Sequence, residues 1–274
     1  MPFRLALNRT CAPHLPLQDF IALATAAGVT AVEIRNDIAD REFADGTPAA
    51  TLRARLADAG LAVASVNALQ RFNDWTPTRA AEAEAIIAYA AALGAPGVVL
   101  CPVHNADHGW TDAQAEINLR DGLRHLRPIL RDHGVTGYVE PLGMPASTLK
   151  RQDMAVAAIT DIDGWDAFQL CFDTFQFFRC GDTRLFPDRI GLAHMSGIAR
   201  SDLAPDALTE PDRGLVFPGD RVDNIGQFRA LLAAGYSGTI SMEPFSPAVQ
   251  QDPDLLTHLR ASLAYVTTHL HAQT

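Results

Sequence analysis

Glu140, Asp173, His194 and Glu243 each close a short apolar run: Gly137-Tyr-Val-Glu140, Leu170-Cys-Phe-Asp173, Gly191-Leu-Ala-His194 and Ile240-Ser-Met-Glu243. Runs of this length read as buried strands of a parallel sheet, which places all four side chains at its carboxyl edge, where barrel enzymes do chemistry. Three carboxylates and an imidazole converging on one point repel unless a cation lies among them, and such donors suit Mn, Mg, Co or Zn. One polar residue would be an ordinary strand cap; four in consecutive units favour one divalent metal ion. That ion leaves positions for a ketone and its adjacent hydroxyl and acidifies the C–H between them. Glu140 and Glu243, from strands separated by two others, are expected to be metal ligands and also the acid/base pair. The expected reaction is aldose–ketose or ketone-transposing isomerisation, or epimerisation beside a carbonyl, through an enediolate.

The elements that must hold these residues alternate from end to end. Strands are expected at 3–8, 31–35, 62–67, 97–101, 137–140, 169–173, 190–194 and 239–243. Helices are expected at 17–27, 49–59, 78–93, 112–132, 153–160, 174–178, 224–234 and 253–270. Gly28, Gly60, Gly94, Gly134 and Gly235 follow helical stretches as stop signals. Eight strand–helix units in 274 residues, without a linker rich in Gly, Ser or Pro, predict one (β/α)8 TIM barrel domain over 1–274. A doubly wound sheet is the alternative, but the first loop, Asn8-Arg-Thr-Cys-Ala-Pro13, has no phosphate-cradling glycine. The connection from Met195 to Val222 is the longest and is a candidate lid or specificity element.

Strand alternation assigns the faces. Glu33 and Arg35 share one side of the second strand; buried against a helix they would lie unpaired, so both are expected in the lumen, paired with each other. Tyr138 shares the lumenal face with Glu140, while Val139 meets a helix. Asn8, Asn67 and Gln70 add amides to the rim, which suits a small polyhydroxylated keto substrate. A net charge of -10 argues against a nucleic-acid partner. No apolar run is long enough to span a membrane and Met1-Pro-Phe-Arg4 is unlike a secretory signal, so the chain reads as cytoplasmic. Cys11, Cys101, Cys171 and Cys180 are too scattered for a disulfide framework, and Cys101 and Cys171 fall inside strands as buried thiols. A homo-oligomer is compatible with this reading, but nothing in the sequence specifies one.

Several motifs carry a family resemblance over nearly the whole chain: Ala31-Val-Glu-Ile-Arg35, Val66-Asn-Ala-Leu69 with Phe72-Asn73, Val139-Glu-Pro-Leu-Gly143, Phe172-Asp-Thr-Phe175, the His194 strand, Asp212-Arg213 with Phe217-Pro-Gly219, and Ser241-Met-Glu-Pro-Phe245. The chain resembles the xylose-isomerase-like barrels of the sugar isomerase and epimerase superfamily, and within it the inosose (2-keto-myo-inositol) isomerase branch. The resemblance implies metal binding by Glu140, Asp173, His194 and Glu243, proton transfer by the two glutamates, and a place in carbohydrate metabolism, inositol catabolism first. Arg35, Asn67, Gln176, Arg200 and Arg213 are the expected substrate contacts.

Departures from the pattern bear on the substrate. Gln176 stands where related enzymes carry a histidine, and an amide cannot carry a proton. Arg200 lies six residues after His194, the spacing of a substrate-binding arginine in ketose 3-epimerases, yet Ala146 replaces the second glutamate of those enzymes. A ketose 3-epimerase or hydroxypyruvate-type isomerase is therefore the first rival. An inosose or dehydroshikimate dehydratase is the second, using the same enolate to expel a hydroxyl. The abasic-site endonucleases share the barrel but need extra histidines and a basic track, which Gln176 and the acidic charge disfavour. A sugar-binding protein without catalysis is the rival outside enzymes. His104 is a candidate rim contact, and Phe72, Trp75, Phe175, Phe177 and Phe178 are candidate walls for a sugar ring or ordinary core.

Overall fold

The computed structural model describes residues 3–271. In β1 (Arg4–Asn8), Ala6 turns to the inside and Leu7 to the outside; in β2 (Ala31–Arg35), Ala31 is inside while Val32 and Ile34 are outside. The same period-two pattern sorts β3 (Ala62–Gln70), β4 (Gly97–Cys101), β5 (Thr136–Val139), β6 (Phe168–Asp173) and β7 (Ile190–Met195). Next come β8 (Gly197–Ile198) and β9 (Arg213–Gly214), an antiparallel ribbon separate from the main sheet, and then β10 (Thr239–Met242). The main sheet closes in the order β1-β10-β7-β6-β5-β4-β3-β2 with all its pairings parallel, giving the expected (β/α)8 TIM barrel.

Mostly small and medium residues, with Tyr138 among them, fill the lower lumen: Ala6, Ala31, Ala64, Val99, Tyr138, Cys171 and Leu192 form one buried cluster. They make a packed floor beneath the polar residues that follow them along each strand. Leu7, Val32, Ile34, Val66, Leu100, Val139 and Phe172 face outward into the larger core shared with the helices. Those helices are α1 (Leu17–Ala27), α2 (Ala49–Asp58), α3 (Pro77–Leu93), α4 (Asp112–His133), α5 (Gln152–Asp161), α6 (Thr174–Arg179), α7 (Asn224–Ala233), α8 (Pro247–Gln250) and α9 (Leu255–His271). Thr76 and Thr111 cap α3 and α4 by accepting from the backbone N–H of Arg79 and Gln114. Gly28 and Gly94 stop α1 and α3 at φ 83° and 81°, a left-handed conformation that a side chain disfavours. Among the described residues no helix is long and apolar enough to cross a membrane.

Three local differences from the sequence reading matter near the site. β3 runs on to Gln70 because a register shift between Asn67 and Leu69 absorbs an extra residue. Glu140 and Glu243 stand one residue beyond β5 and β10, each still donating its backbone N–H to the neighbouring strand, at Leu100 and Met195. The long connection after β7 is tied back on itself where Gly197 pairs with Gly214 and Ile198 with Arg213. The short α8 is a further element that sequence periodicity did not separate from α9.

Loops on the polar rim are fastened by a buried ion pair. Arg9 follows β1, is 0% exposed and meets Glu42, 2% exposed, at 3.0 Å from Nε to Oε2. The guanidinium also lies over the Phe20 ring at 4.6 Å. Replacing Arg9 as Arg9→Leu leaves the Glu42 carboxylate buried without its partner and is expected to cost about 3–5 kcal/mol of unfolding free energy in urea titrations. A cost under about 1 kcal/mol would rank this pair with solvent-exposed ones.

Candidate active site

The last inward-facing residue of each strand builds the site. Asp173 ends β6 and is also the N-cap of α6, its Oδ1 accepting from the backbone N–H of Phe175 at 2.7 Å and of Gln176 at 3.0 Å. His194 lies in β7 beside Asp173 in register. Glu140 and Glu243 follow β5 and β10, and the peptide N–H of Glu243 donates to the Met195 carbonyl at 2.9 Å. One donor atom from each of Glu140, Asp173, His194 and Glu243 lies within 4.8 Å of all the others, and all four residues are buried. Three carboxylates and one imidazole in that space form a donor set that fits a divalent cation.

The imidazole of His194 is enclosed by carboxylates. Its Nδ1 is 3.3 Å from Glu140 Oε1 and 3.2 Å from Glu243 Oε2, and its Nε2 is 3.1 Å from Glu33 Oε2. Burial opposes charge on the ring, yet Cys171, Glu243 and Glu33 around it raise its pKa well above the ordinary value. Burial also works against the Glu243 anion, but His194, Arg213 and Arg35 hold its pKa down to about 2. Asp173 goes the other way: burial and the carboxylates of Glu140 and Glu243 push it to about 7 although Arg213 and His194 pull it down. Asp173 is thus offset less by the surrounding cations than Glu243 is.

Two arginines supply the counter-charge. Arg213, 2% exposed, reaches in from the long loop and donates through Nη2 to Asp173 Oδ2 at 2.6 Å and Glu243 Oε2 at 2.9 Å. Its Nη1 donates to Glu210 Oε2 at 2.6 Å and its Nε to Ser196 Oγ at 3.0 Å. Arg35 donates from Nη1 to Glu243 Oε1 at 3.2 Å and grips Asp37 through Nε and Nη2 at 2.8 and 2.6 Å. Asn8 and Asn67 donate to the same Glu243 oxygen at 3.1 and 3.3 Å. Both arginines stack over the Phe245 ring, at 4.7 Å and 5.5 Å.

A cavity of about 280 Å³ opens above this cluster, lined among others by Arg35, Asn67, His104, Glu140, Gln176, Glu210, Arg213, Glu243 and Phe245. Of the expected substrate contacts, Arg35, Asn67, Gln176 and Arg213 line it. Gln176 is held on both sides: its Oε1 accepts from the Gly143 N–H at 2.9 Å and its Nε2 donates to Glu210 at 3.1 Å.

Arg200 does not line the cavity. Its guanidinium is 49% exposed and bound to Asp202 through Nε at 2.9 Å and Nη2 at 2.6 Å. Glu33 and Arg35 do face the lumen, but each takes other partners instead of pairing together: Glu33 binds His194, Asn8 and Ser65, and Arg35 binds Asp37 and Glu243. Of the aromatic candidates, Phe72 and Phe172-packed Phe177 belong to the core, Trp75 stacks on His125 at 5.0 Å, and Phe175 lies beneath Arg213. Phe245 is the aromatic wall that the sequence reading left unassigned, as were Asp37 and Glu210. Glu210 carried a signal in its spacing, three residues before Arg213.

The family model for the xylose isomerase-like TIM barrel matches residues 21–265. A xylose isomerase domain containing protein from Salmonella typhimurium LT2 is 25% identical, with 98% of each chain covered and a TM-score of 0.88. The IolI protein, solved with a bound zinc atom, is 20% identical over 98% of each chain with a TM-score of 0.85. D-allulose 3-epimerase from Methylomonas sp., solved in complex with D-allulose, is 16% identical over 97% of each chain with a TM-score of 0.73. No curated protein matches the chain in sequence. With its closed barrel, its cluster of donors at the strand ends and a family match running through nearly all of its length, the chain belongs to the xylose isomerase-like TIM barrel family.

Proposed function

We propose that this protein is an isomerase or epimerase of a small polyhydroxylated ketone, with keto-inositols as the first candidate substrates and ketoses as the second. The observation that carries the reading is the convergence of Glu140, Asp173, His194 and Glu243, with donor atoms inside 4.8 Å, beside a polar cavity that Glu140 and Glu243 line. These four residues would hold one divalent ion, Mn, Mg, Co or Zn. When bound, such an ion supplies Lewis-acid polarisation of a carbonyl and its neighbouring hydroxyl. The zinc of the IolI protein and the D-allulose of the Methylomonas epimerase support that choice of cofactor and ligand class.

The chain's own groups fit the proton transfers. Glu140 and Glu243 both line the cavity, in unlike surroundings. Glu243 receives Arg35, Arg213, Asn8 and Asn67, whereas the polar neighbours of Glu140 are His194 and the Cys101 thiol at 3.5 Å. Two carboxylates held so differently divide the removal of a proton beside the carbonyl from its return, without any oxidant or reductant. Arg35 and Arg213 stabilise negative charge developing on substrate oxygens, while Asn67 and Gln176 offer amides to hydroxyls. Phe245 provides an apolar face for the carbon skeleton.

The reading is tested with a panel of inososes and ketohexoses incubated in deuterated buffer with Mn²⁺, following exchange and product by NMR. Glu243→Gln is expected to keep the far-UV circular dichroism of the parent and to lose about 10²–10⁴-fold in exchange rate. Retention of parental exchange removes Glu243 from the chemistry, and a conjugated enone chromophore assigns the protein to the dehydratases instead. Removing the ion gives an independent check. At 100-fold excess of Mn²⁺ over Kd the protein should gain about 2.7 kcal/mol of stability, with Asp173→Asn losing most of that gain in thermal-shift measurements.

A further inference from the structure

We propose that Glu33 is a positioning residue that commits Nε2 of His194 to a carboxylate and so leaves Nδ1 as the nitrogen offered to a cation, an inference that rests on the ion site proposed above. Glu33 lies outside the four-donor cluster and outside the cavity lining, and it is 0% exposed. A carboxylate buried at that depth is costly unless its oxygens are fully hydrogen-bonded. The fold supplies those bonds from three other strands. Asn8 of β1 donates from Nδ2 to Oε1 at 3.0 Å, Ser65 of β3 donates its hydroxyl to Oε2 at 2.6 Å, and His194 of β7 faces Oε2 through Nε2 at 3.1 Å.

Nε2 is turned to a carboxylate outside the four-donor cluster, whereas Nδ1 is turned to two carboxylates within it, so a cation held among the four donors would take Nδ1 and leave the Nε2–H to Glu33. Nδ1 lies 3.3 Å from Glu140 Oε1 and 3.2 Å from Glu243 Oε2, on the side of the ring where the other donors converge. A carboxylate behind a ligating imidazole fixes both tautomer and ring orientation and raises ligand basicity. Glutamine has the same shape but cannot take this place. With its NH2 group toward Asn8 it sets donor against donor, and Asn8 is kept from flipping by the Thr10 N–H on its Oδ1 at 3.0 Å. With its NH2 group toward His194 it meets the Nε2 proton.

Calorimetric titration of the whole protein with Mn²⁺ tests this, comparing wild type with Glu33→Gln. The expected result is affinity weakened roughly ten- to hundredfold with unchanged far-UV circular dichroism. A folded variant that binds Mn²⁺ as tightly as wild type overturns the role of Glu33 alone, whereas a wild-type protein that binds no Mn²⁺ overturns the ion site and this inference with it. Should the variant fail to fold, nitrogen-15 NMR of histidine-labelled, zinc-loaded wild type decides. A proton retained on Nε2 of His194 with the ion at Nδ1 supports the assignment, and an ion at Nε2 overturns it.

Discussion

The carboxylates of Glu33, Glu140, Asp173 and Glu243 share one barrel mouth, each 4% exposed or less, and the cost of holding like charges there governs everything around them. Cations come from three directions: His194 from below, Arg35 from β2 and Arg213 from the long loop. Neutral donors complete the set, with Asn8 bridging Glu33 and Glu243. The compensation is uneven. Glu243 is over-supplied with donors, while Asp173 is left with a raised proton affinity despite its arginine. A divalent ion among the four donors would even out that difference.

The same constraint explains why the lumen changes character along its length. Mostly apolar residues fill the floor, and on four of the strands a polar residue follows one alternation step higher. Ala6 gives way to Asn8, Ala31 to Glu33, Cys171 to Asp173 and Leu192 to His194. A one-residue slip in any of these strands would turn its polar residue into the helix-facing core, so register and chemistry are fixed together. Glycine enforces close approach nearby. A side chain at Gly143 would fall 2.1 Å from the Gln176 carbonyl, so the loop after β5 can sit against α6 only as glycine.

Much of this was legible because strand ends and alternation are local properties. A polar residue closing an apolar run announces both its element and its face, which is why the four donors and the lumenal direction of Glu33 and Arg35 could be read. Partnerships across the barrel were not legible in the same way. Glu33 finds His194 from a strand 161 residues distant, and Arg35 finds Glu243 across 208. Arg200 shows the converse limit. Spacing from His194 placed it in the site, but Asp202, two residues away, satisfies its guanidinium on the surface. The ribbon of β8 and β9 was hidden because its two-residue strands carry no periodicity of their own.

That ribbon has an evolutionary consequence. Gly197 and Ile198 pair with Gly214 and Arg213, so the chain that leaves the barrel returns to its starting point before Arg213 enters the carboxylate cluster. The stretch between forms a loop closed at its neck, with Leu203 and Leu208 resting on Phe175 and Ile198 in a small cluster of its own. Changes of length or sequence at its outer turn are insulated from the position of Arg213. Divergence in what the protein admits to its mouth thus has a place to accumulate while the reactive machinery stays constant.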